Sequence, residues 1–273
     1  MNILDEILAH KQKEVEERKS LYPVKLLEQS IYFPSPCVSL KKYLVREDKQ
    51  GIIAEIKRKS PSKGTINPHV SVERTSIGYM QAGASALSVL TDKKFFGGSS
   101  DDLTTARRFN FCPILRKDFI IDPYQVVEAK SIGADAILLI AAALSPGRLR
   151  ELRLMARELG MEVLMEVHNE EEIKVNIEAE PDCIGVNNRD LKTFALNIDV
   201  SKRLAGLIPE SVVKVSESGI ESPDSIIELR TFGYRGFLIG GTFMEHSRPE
   251  TAAREFIRQL EFARRKNEVN AVL

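Results

Sequence analysis

The sequence predicts a closed (βα)8 barrel with a helical N-terminal extension, and three observations carry that prediction. Short apolar, β-rich runs recur eight times; amphipathic helical patterns separate them; and charged residues gather at the C-terminal ends of run after run. The runs are GIIAEIK (51–57), ALSVLTD (86–92), PILRKDF (113–119), AILLIAA (136–142), MEVLMEV (161–167), CIGVNN (183–188), VVKVSES (212–218) and GFLIGG (236–241). Their starts are 35, 27, 23, 25, 22, 29 and 24 residues apart, the length of one strand–helix unit. Between them lie patterns such as SVERTSIGYMQAGA, DPYQVVEAKSIGA, PGRLRELRLMARELG and SPDSIIELRTFGY. Several reach a Gly just before the next run, as helix C-caps often do. An open sheet of six strands would leave two units over, and no Gly-x-Gly-x-x-Gly follows the first run.

The chain of 273 residues reads as one barrel domain spanning 1–273, with residues 1–48 as the helical extension. Leu4, Ile7, Leu8 and Val15 recur there at near-helical spacing, so the segment is expected to pack on the barrel. Lys plus Arg equals Asp plus Glu, 39 each, which removes the bulk charge that would draw in nucleic acid or an anionic membrane. A hydrophobic content of 43% supports a full core. The longest apolar run, Ala136 to Leu144, is nine residues and far too short to span a bilayer. The N-terminus carries no cationic start and no apolar signal core. Cys37, Cys112 and Cys183 have neither zinc nor disulfide spacing and read as free thiols. A cytoplasmic protein is expected.

In a barrel of this kind, function collects where strands end and loops begin. Glu55 and Lys57 close the first run, Lys117 the third, Glu166 the fifth, Asn187 and Arg189 the sixth, and Glu217 the seventh. Side chains alternate along a strand, so Glu55 and Lys57 share a face about 7 Å apart, and Ala54 and Ile56 face the helices. By the same parity Lys117 goes with Leu115, Glu166 with Leu164, and Glu217 with Val215. The mouth then holds three carboxylates and two ammonium groups in a partly desolvated space. Such a mixture holds pKa values apart, which separate general acids and bases require. The competing reading is an ion-pair ring that merely closes the barrel.

The last two runs point to phosphate. SESG (216–219) leads to a helix start with Ser222 as cap and Pro223 behind it, and IGGT (239–242) leaves the eighth run through two glycines. Glycines let backbone N–H groups approach an anion, and this fold often holds phosphate after strands seven and eight. The loop SPSKG (60–64) adds a hydroxyl and a cation. His10, His69, His168 and His246 are dispersed without metal spacing and read as surface or loop residues. The KRK cluster (57–59) lies beside acids with no interleaved aromatics, against nucleic-acid binding. Arg107 and Arg108 are expected to face water, as is the basic helix end at 264–266.

Taken together, IIAEIKRKSPSKG, GASALSVLTDKKFFGGS, PILRKDFIIDPYQ, GADAILLIAAAL, VLMEVH, IGVNNRDL, VSESGI and FLIGGTFM closely resemble the indole-3-glycerol-phosphate synthase family of tryptophan biosynthesis. The resemblance covers nearly the whole chain, including the N-terminal extension. It implies a (βα)8 barrel that converts 1-(2-carboxyphenylamino)-1-deoxyribulose 5-phosphate into indole-3-glycerol phosphate, carbon dioxide and water, with no metal or organic cofactor. By motif, it implies Lys117 as general acid of ring closure. Lys57 would hold the substrate carboxylate and is a candidate acid for dehydration. Glu55 and Glu166 are the remaining acid–base candidates, with their division of labour open. Asn187, Arg189, Glu217 and Ser218 would orient the sugar hydroxyls and the anilino nitrogen. Ser60, Gly219, Gly240 and Gly241 would cradle the phosphate, and Leu115, Phe119 and Leu138 would wall the aromatic ring. Gly241 departs from the family, where Ser or an acidic residue is usual, leaving Thr242 or backbone N–H groups to hold the phosphate. The resemblance also implies a monomer, with weak association with other tryptophan-pathway enzymes as the partner expectation.

Two other functions fit a phosphate-binding barrel. One is an aldolase-like Schiff-base enzyme with Lys117 or Lys57 as nucleophile. The other is a binding protein that keeps the fold alone, for which so many acid–base groups would be superfluous.

Overall fold

The computed structural model describes residues 3–270. Residues 1–2 and 271–273 of the expected domain lie outside the described residues. Each of the eight apolar runs forms a strand: β1 (Ile52–Ile56), β2 (Ala86–Leu90), β3 (Ile114–Lys117), β4 (Ala136–Ile140), β5 (Glu162–Val167), β6 (Cys183–Asn187), β7 (Val213–Glu217) and β8 (Gly236–Ile239). All neighbours are parallel, in the order β1-β8-β7-β6-β5-β4-β3-β2, and β2 closes onto β1 with Glu55 opposite Ser88. This is the (βα)8 barrel.

The helices between strands start where the sequence supplies side-chain caps. Ser71, Ser99, Asp122, Ser145, Asn169 and Ser222 each accept a backbone N–H in the first turn of α4 (Val72–Ala82), α5 (Ser100–Phe109), α6 (Pro123–Ser131), α7 (Pro146–Glu158), α8 (Glu170–Asn176) and α10 (Pro223–Thr231). Helix α9 (Asp199–Leu204) follows β6, and α11 (Gly241–Met244) and α12 (Pro249–Asn270) follow β8. Among the described residues, no helix is long and apolar enough to cross a membrane.

Strand alternation divides the core into two layers. Ile52, Ala54 and Ile56 join the layer between strands and helices. Ile53, Leu115, Leu138, Leu164, Val215 and Leu238 fill the barrel interior. Leu40 and Leu44 of α3 (Leu40–Leu44) belong to that interior cluster. They plug the barrel from its N-terminal end, with Leu44 against Gly236 at the start of β8. The opposite end, where strands finish in charged residues, is left for the site.

Helix α1 (Ile3–Leu21) lies across the barrel ahead of the short α2 (Val24–Leu27). Its buried stripe is Leu4, Ile7, Lys11 and Val15, whereas Leu8 is half-exposed; the third position of the stripe is a lysine. The segment after β1 also differs from a plain loop. Lys59–Ser60 and Gly64–Thr65 pair antiparallel as a small hairpin. The Ser60 hydroxyl accepts the Lys63 N–H and so fixes its turn.

Arg107 does not face water. It pairs with Asp135 and donates to the carbonyls of Gly133, Asn110 and Cys112. The Asp135 carboxylate accepts the Ile114 and Val38 N–H groups, so this cluster locks the entry to β3 against the N-terminal extension. Its neighbour Arg108 is exposed, since consecutive residues on a helix face different ways.

Candidate active site

Ionised side chains stay at the mouth because water and counter-charges are available there and absent deeper in the barrel. Glu55 rises from β1, Lys117 from β3, Glu166 from β5, Asn187 from β6 and Glu217 from β7, all at or next to a strand's last residue. They line one cavity together with Lys57, Ser60, Phe119, Leu138, Arg189, Ser218, Gly219, Gly240 and Gly241. Leu115 does not line it. It sits fully buried one interior layer below Lys117, because residues two apart on a strand share a face but not a depth.

Lys117 is the centre of the polar floor. Its Nζ donates to Glu166 Oε2 at 2.8 Å and to Glu217 Oε2 at 2.8 Å. Burial disfavours the ammonium form, but Glu166, Glu217 and Glu55 outweigh burial and hold Lys117 charged. One ammonium cannot serve two buried carboxylates equally. Burial pushes Glu217 up to about 7, with Lys117 opposing and the Glu166 charge adding to the rise. Burial acts on Glu166 too, yet Lys117 and His168 bring it down to about 2. Asn187 adds a donated hydrogen bond to Glu166 Oε1 at 3.2 Å. The floor thus holds an ionised carboxylate and a second that titrates near neutrality, a pairing suited to acid–base work.

Beside it, Lys57 pairs with Glu55. Two glycines make room for these acids. A Cβ on Gly240 would stand 2.2 Å from Glu55 Oε1, and one on Gly185 would stand 2.0 Å from Glu217 Oε1. In Glu217 that oxygen lies buried against Gly185 with no hydrogen-bond partner, while its other oxygen accepts from Lys117.

One end of the cavity is polar and glycine-lined. Ser218 and Gly219 both take left-handed backbone conformations at φ 67° and 74°, curling the exit of β7. Gly240 caps α11 and Gly241 begins it, so the first N–H groups of that helix have no partner within it. The Thr242 hydroxyl donates to the Ile220 carbonyl at 2.8 Å and has no proton left for an anion. Lys63, paired with Glu245, stands over Gly241 from the β1 hairpin. The other end is apolar. Phe96 and Phe119 have ring centroids 5.8 Å apart, with Leu138 and with Ile3, Leu4 and Ile7 of α1 lining the same space.

The structure adds residues that sequence reasoning missed. Phe96 comes from the FF doublet after β2, and the strand-end rule that found the charges would have found it. His168 does not lie at the surface as its dispersed position suggests. Its ring is instead largely buried, with Nε2 3.5 Å from Glu166 Oε1 and Nδ1 3.3 Å from Glu172 Oε2. Burial lowers its pKa, but the Glu172 hydrogen bond and the Glu166, Glu172 and Glu217 charges raise it overall. His69 and His246 are exposed as expected, and His10 packs edge-on to Phe95. Among the described residues, no group of three or more His, Cys, Asp or Glu side chains forms a metal site.

Comparison with known proteins bears on this geometry. A family model described as indole-3-glycerol phosphate synthase matches residues 4–256. The chain is 48% identical over 260 residues to the indole-3-glycerol phosphate synthase of Bacteroides thetaiotaomicron, covering 95% of this chain and 99% of that one. It is 44% identical over 257 residues to that of Carboxydothermus hydrogenoformans, covering 91% and 97%. Among solved structures, the barrel is similar to a Clostridium perfringens N-acetylmannosamine-6-phosphate 2-epimerase at a TM-score of 0.59 and 14% identity, covering 82% and 97%. It is similar to a chain of the Pyrococcus furiosus tryptophan synthase complex at 0.57 and 15%, covering 78% and 98%. At those identities the likeness is one of fold.

Proposed function

The chain belongs to the indole-3-glycerol phosphate synthase family, and we propose that its barrel mouth closes the pyrrole ring of 1-(2-carboxyphenylamino)-1-deoxyribulose 5-phosphate. The observation that carries this is Lys117, a largely buried ammonium held between Glu166 and Glu217 in a cavity with an aromatic end and a glycine-lined end. The substrate has the same polarity, an aryl carboxylate at one end and a phosphate at the other.

In this reading the phosphate lies against Ser60, Gly219, Gly240 and Gly241. Backbone N–H groups are the donors there, since the Thr242 proton is committed elsewhere. The ring lies by Phe96, Phe119 and Leu138. Lys57 turns from Glu55 to the aryl carboxylate. The carboxylate-bearing ring carbon attacks the ketone carbon while Lys117 protonates the oxygen, forming one C–C bond and a hydroxyl. Loss of carbon dioxide returns the electron pair to the ring. Glu166, ionised, takes a proton from the methylene carbon beside the nitrogen as Lys57 protonates the departing hydroxyl, and water leaves to give the indole. Asn187, Arg189, Glu217 and Ser218 orient the sugar hydroxyls and nitrogen. The aldolase-like alternative needs a neutral lysine amine, and the carboxylates around Lys117 favour the opposite state.

A phosphorylated substrate is confined to the compartment where it is made, which supports a cytoplasmic location. A monomer is the assembly we infer, and sedimentation velocity tests it. The decisive assay supplies the anilino-deoxyribulose phosphate and follows indole absorbance without added metal. Absence of an indole product with folded protein overturns the reading.

A further inference from the structure

Lys11 is fully buried although it lies on the outer helix α1, and the reaction as derived makes no use of it. Its Nζ lies 2.9 Å from Glu14 Oε1, 2.9 Å from Asp92 Oδ2 and 2.9 Å from Asp118 Oδ1. Asp92 and Asp118 stand just past the ends of β2 and β3, and each holds an aromatic loop by its backbone. Asp92 Oδ1 accepts the N–H groups of Phe95 at 2.7 Å and Phe96 at 3.2 Å. Asp118 Oδ1 accepts the Phe119 N–H at 2.8 Å, while its other oxygen accepts from Thr91 and Arg116. Asp118 also directly follows Lys117 in the chain.

Two carboxylates buried this closely repel unless a cation stands between them. Burial works against an ionised Asp118, yet Lys11 first and Arg116 next hold it far below the usual carboxylate range. Among the described residues, the ion pair made by Asp92 is with Lys11. Removing Lys11 therefore leaves a buried charge beside the N–H groups that set Phe96, and loosens the hold on Phe119.

We propose that Lys11 is a positioning residue for the aromatic end of the site. Through Asp92 and Asp118 it locks the loops after β2 and β3 together, so that Phe96 and Phe119 stand at contact distance and frame the substrate ring. This rests on the reading of the cavity as the site of ring closure. It predicts an asymmetry that general loosening of the barrel would not produce. The ring end of the ligand should suffer and the phosphate end, built from β7, β8 and the β1 hairpin, should not.

The test titrates two probes into wild type and Lys11→Met: the alcohol made by reducing the substrate ketone, which cannot cyclise, and inorganic phosphate. The alcohol should bind about tenfold or more weakly to the variant, with phosphate affinity kept within about twofold. Val15→Ala, which trims the same helix stripe away from the ion cluster, should change neither. If Lys11→Met does not fold, the double variant with Asp92→Asn removes the orphaned charge and the same two titrations are read on it. Equal losses for both probes, or no loss for either, overturn the role of Lys11. A wild type that fails to bind the alcohol overturns the reading of the cavity instead, a result separable from normal wild-type binding left unchanged by the variant.

Discussion

Gly185 stands against Glu217 so closely that a Cβ on the glycine would lie 2.0 Å from Glu217 Oε1. The two face each other across neighbouring strands, and the missing side chain on β6 is what lets the acid lie over the barrel floor. Gly185→Ala should push Glu217 off Lys117 without altering any titratable group. We expect turnover to fall on the order of 10²-fold, with a cooperative melt retained, as displacement of a positioned group does. Turnover within about twofold of wild type would show that Glu217 needs no such clearance.

Lys117→Met tests the general acid. The side chain keeps its length and loses its proton, so turnover should drop on the order of 10²-fold or more while the reduced alcohol still binds. Near-normal turnover would remove Lys117 from the chemistry.

The titration of Glu217 gives a pH prediction with a definite sign. Its folded value of about 7 lies above the ordinary 4.5, so the folded protein holds this proton more tightly than the unfolded chain. The stability it contributes is present below about pH 4.5 and is lost as pH rises through about 7. Glu217→Gln cannot ionise and escapes that loss. Melting temperatures taken from about pH 5 to about pH 8 should therefore rise for the variant relative to wild type. A constant difference across that range would show that Glu217 does not titrate there.

Gly241→Ser probes the phosphate end. A Cβ there would meet Lys63 Nζ at 3.4 Å and Glu245 Oε1 at 3.6 Å, ordinary contacts that leave the backbone in place. The added hydroxyl should change KM and leave kcat within about twofold. A large loss of kcat would mean that the bare backbone is required for turnover.

Arg107→Ala should act on stability and not on chemistry. It strips a largely buried Asp135 of its cation and leaves three carbonyls without their donor. A loss of about 3–5 kcal/mol is expected from denaturant unfolding, with kcat of the folded fraction unchanged.

Much of this protein was legible in one dimension. The spacing of apolar runs, their alternation and their glycine-ended helices gave eight strands in the order observed, because each signal is local and repeats. The strand-end charges were legible for the same reason: parity and position place Glu55, Lys117, Glu166 and Glu217 at one mouth once the barrel closes. Depth was not. Leu115 has the right parity for a wall and lies a layer too low, and His168 resembles any dispersed histidine until Glu172 and Glu166 stand on either side of it.

The sequence by itself determined the barrel, the end of it where charged residues collect, and the residue types that meet there. Tertiary structure alone decided which charges share a partner. Lys117 divides between two acids, and burial still raises Glu217 while Lys117 and His168 hold Glu166 low; Lys11, an ordinary helix lysine on paper, becomes a buried cation because two strand ends bring Asp92 and Asp118 to the same point. Pairings of that kind depend on distances across the barrel mouth, and those exist only after β1 and β2 have closed the sheet.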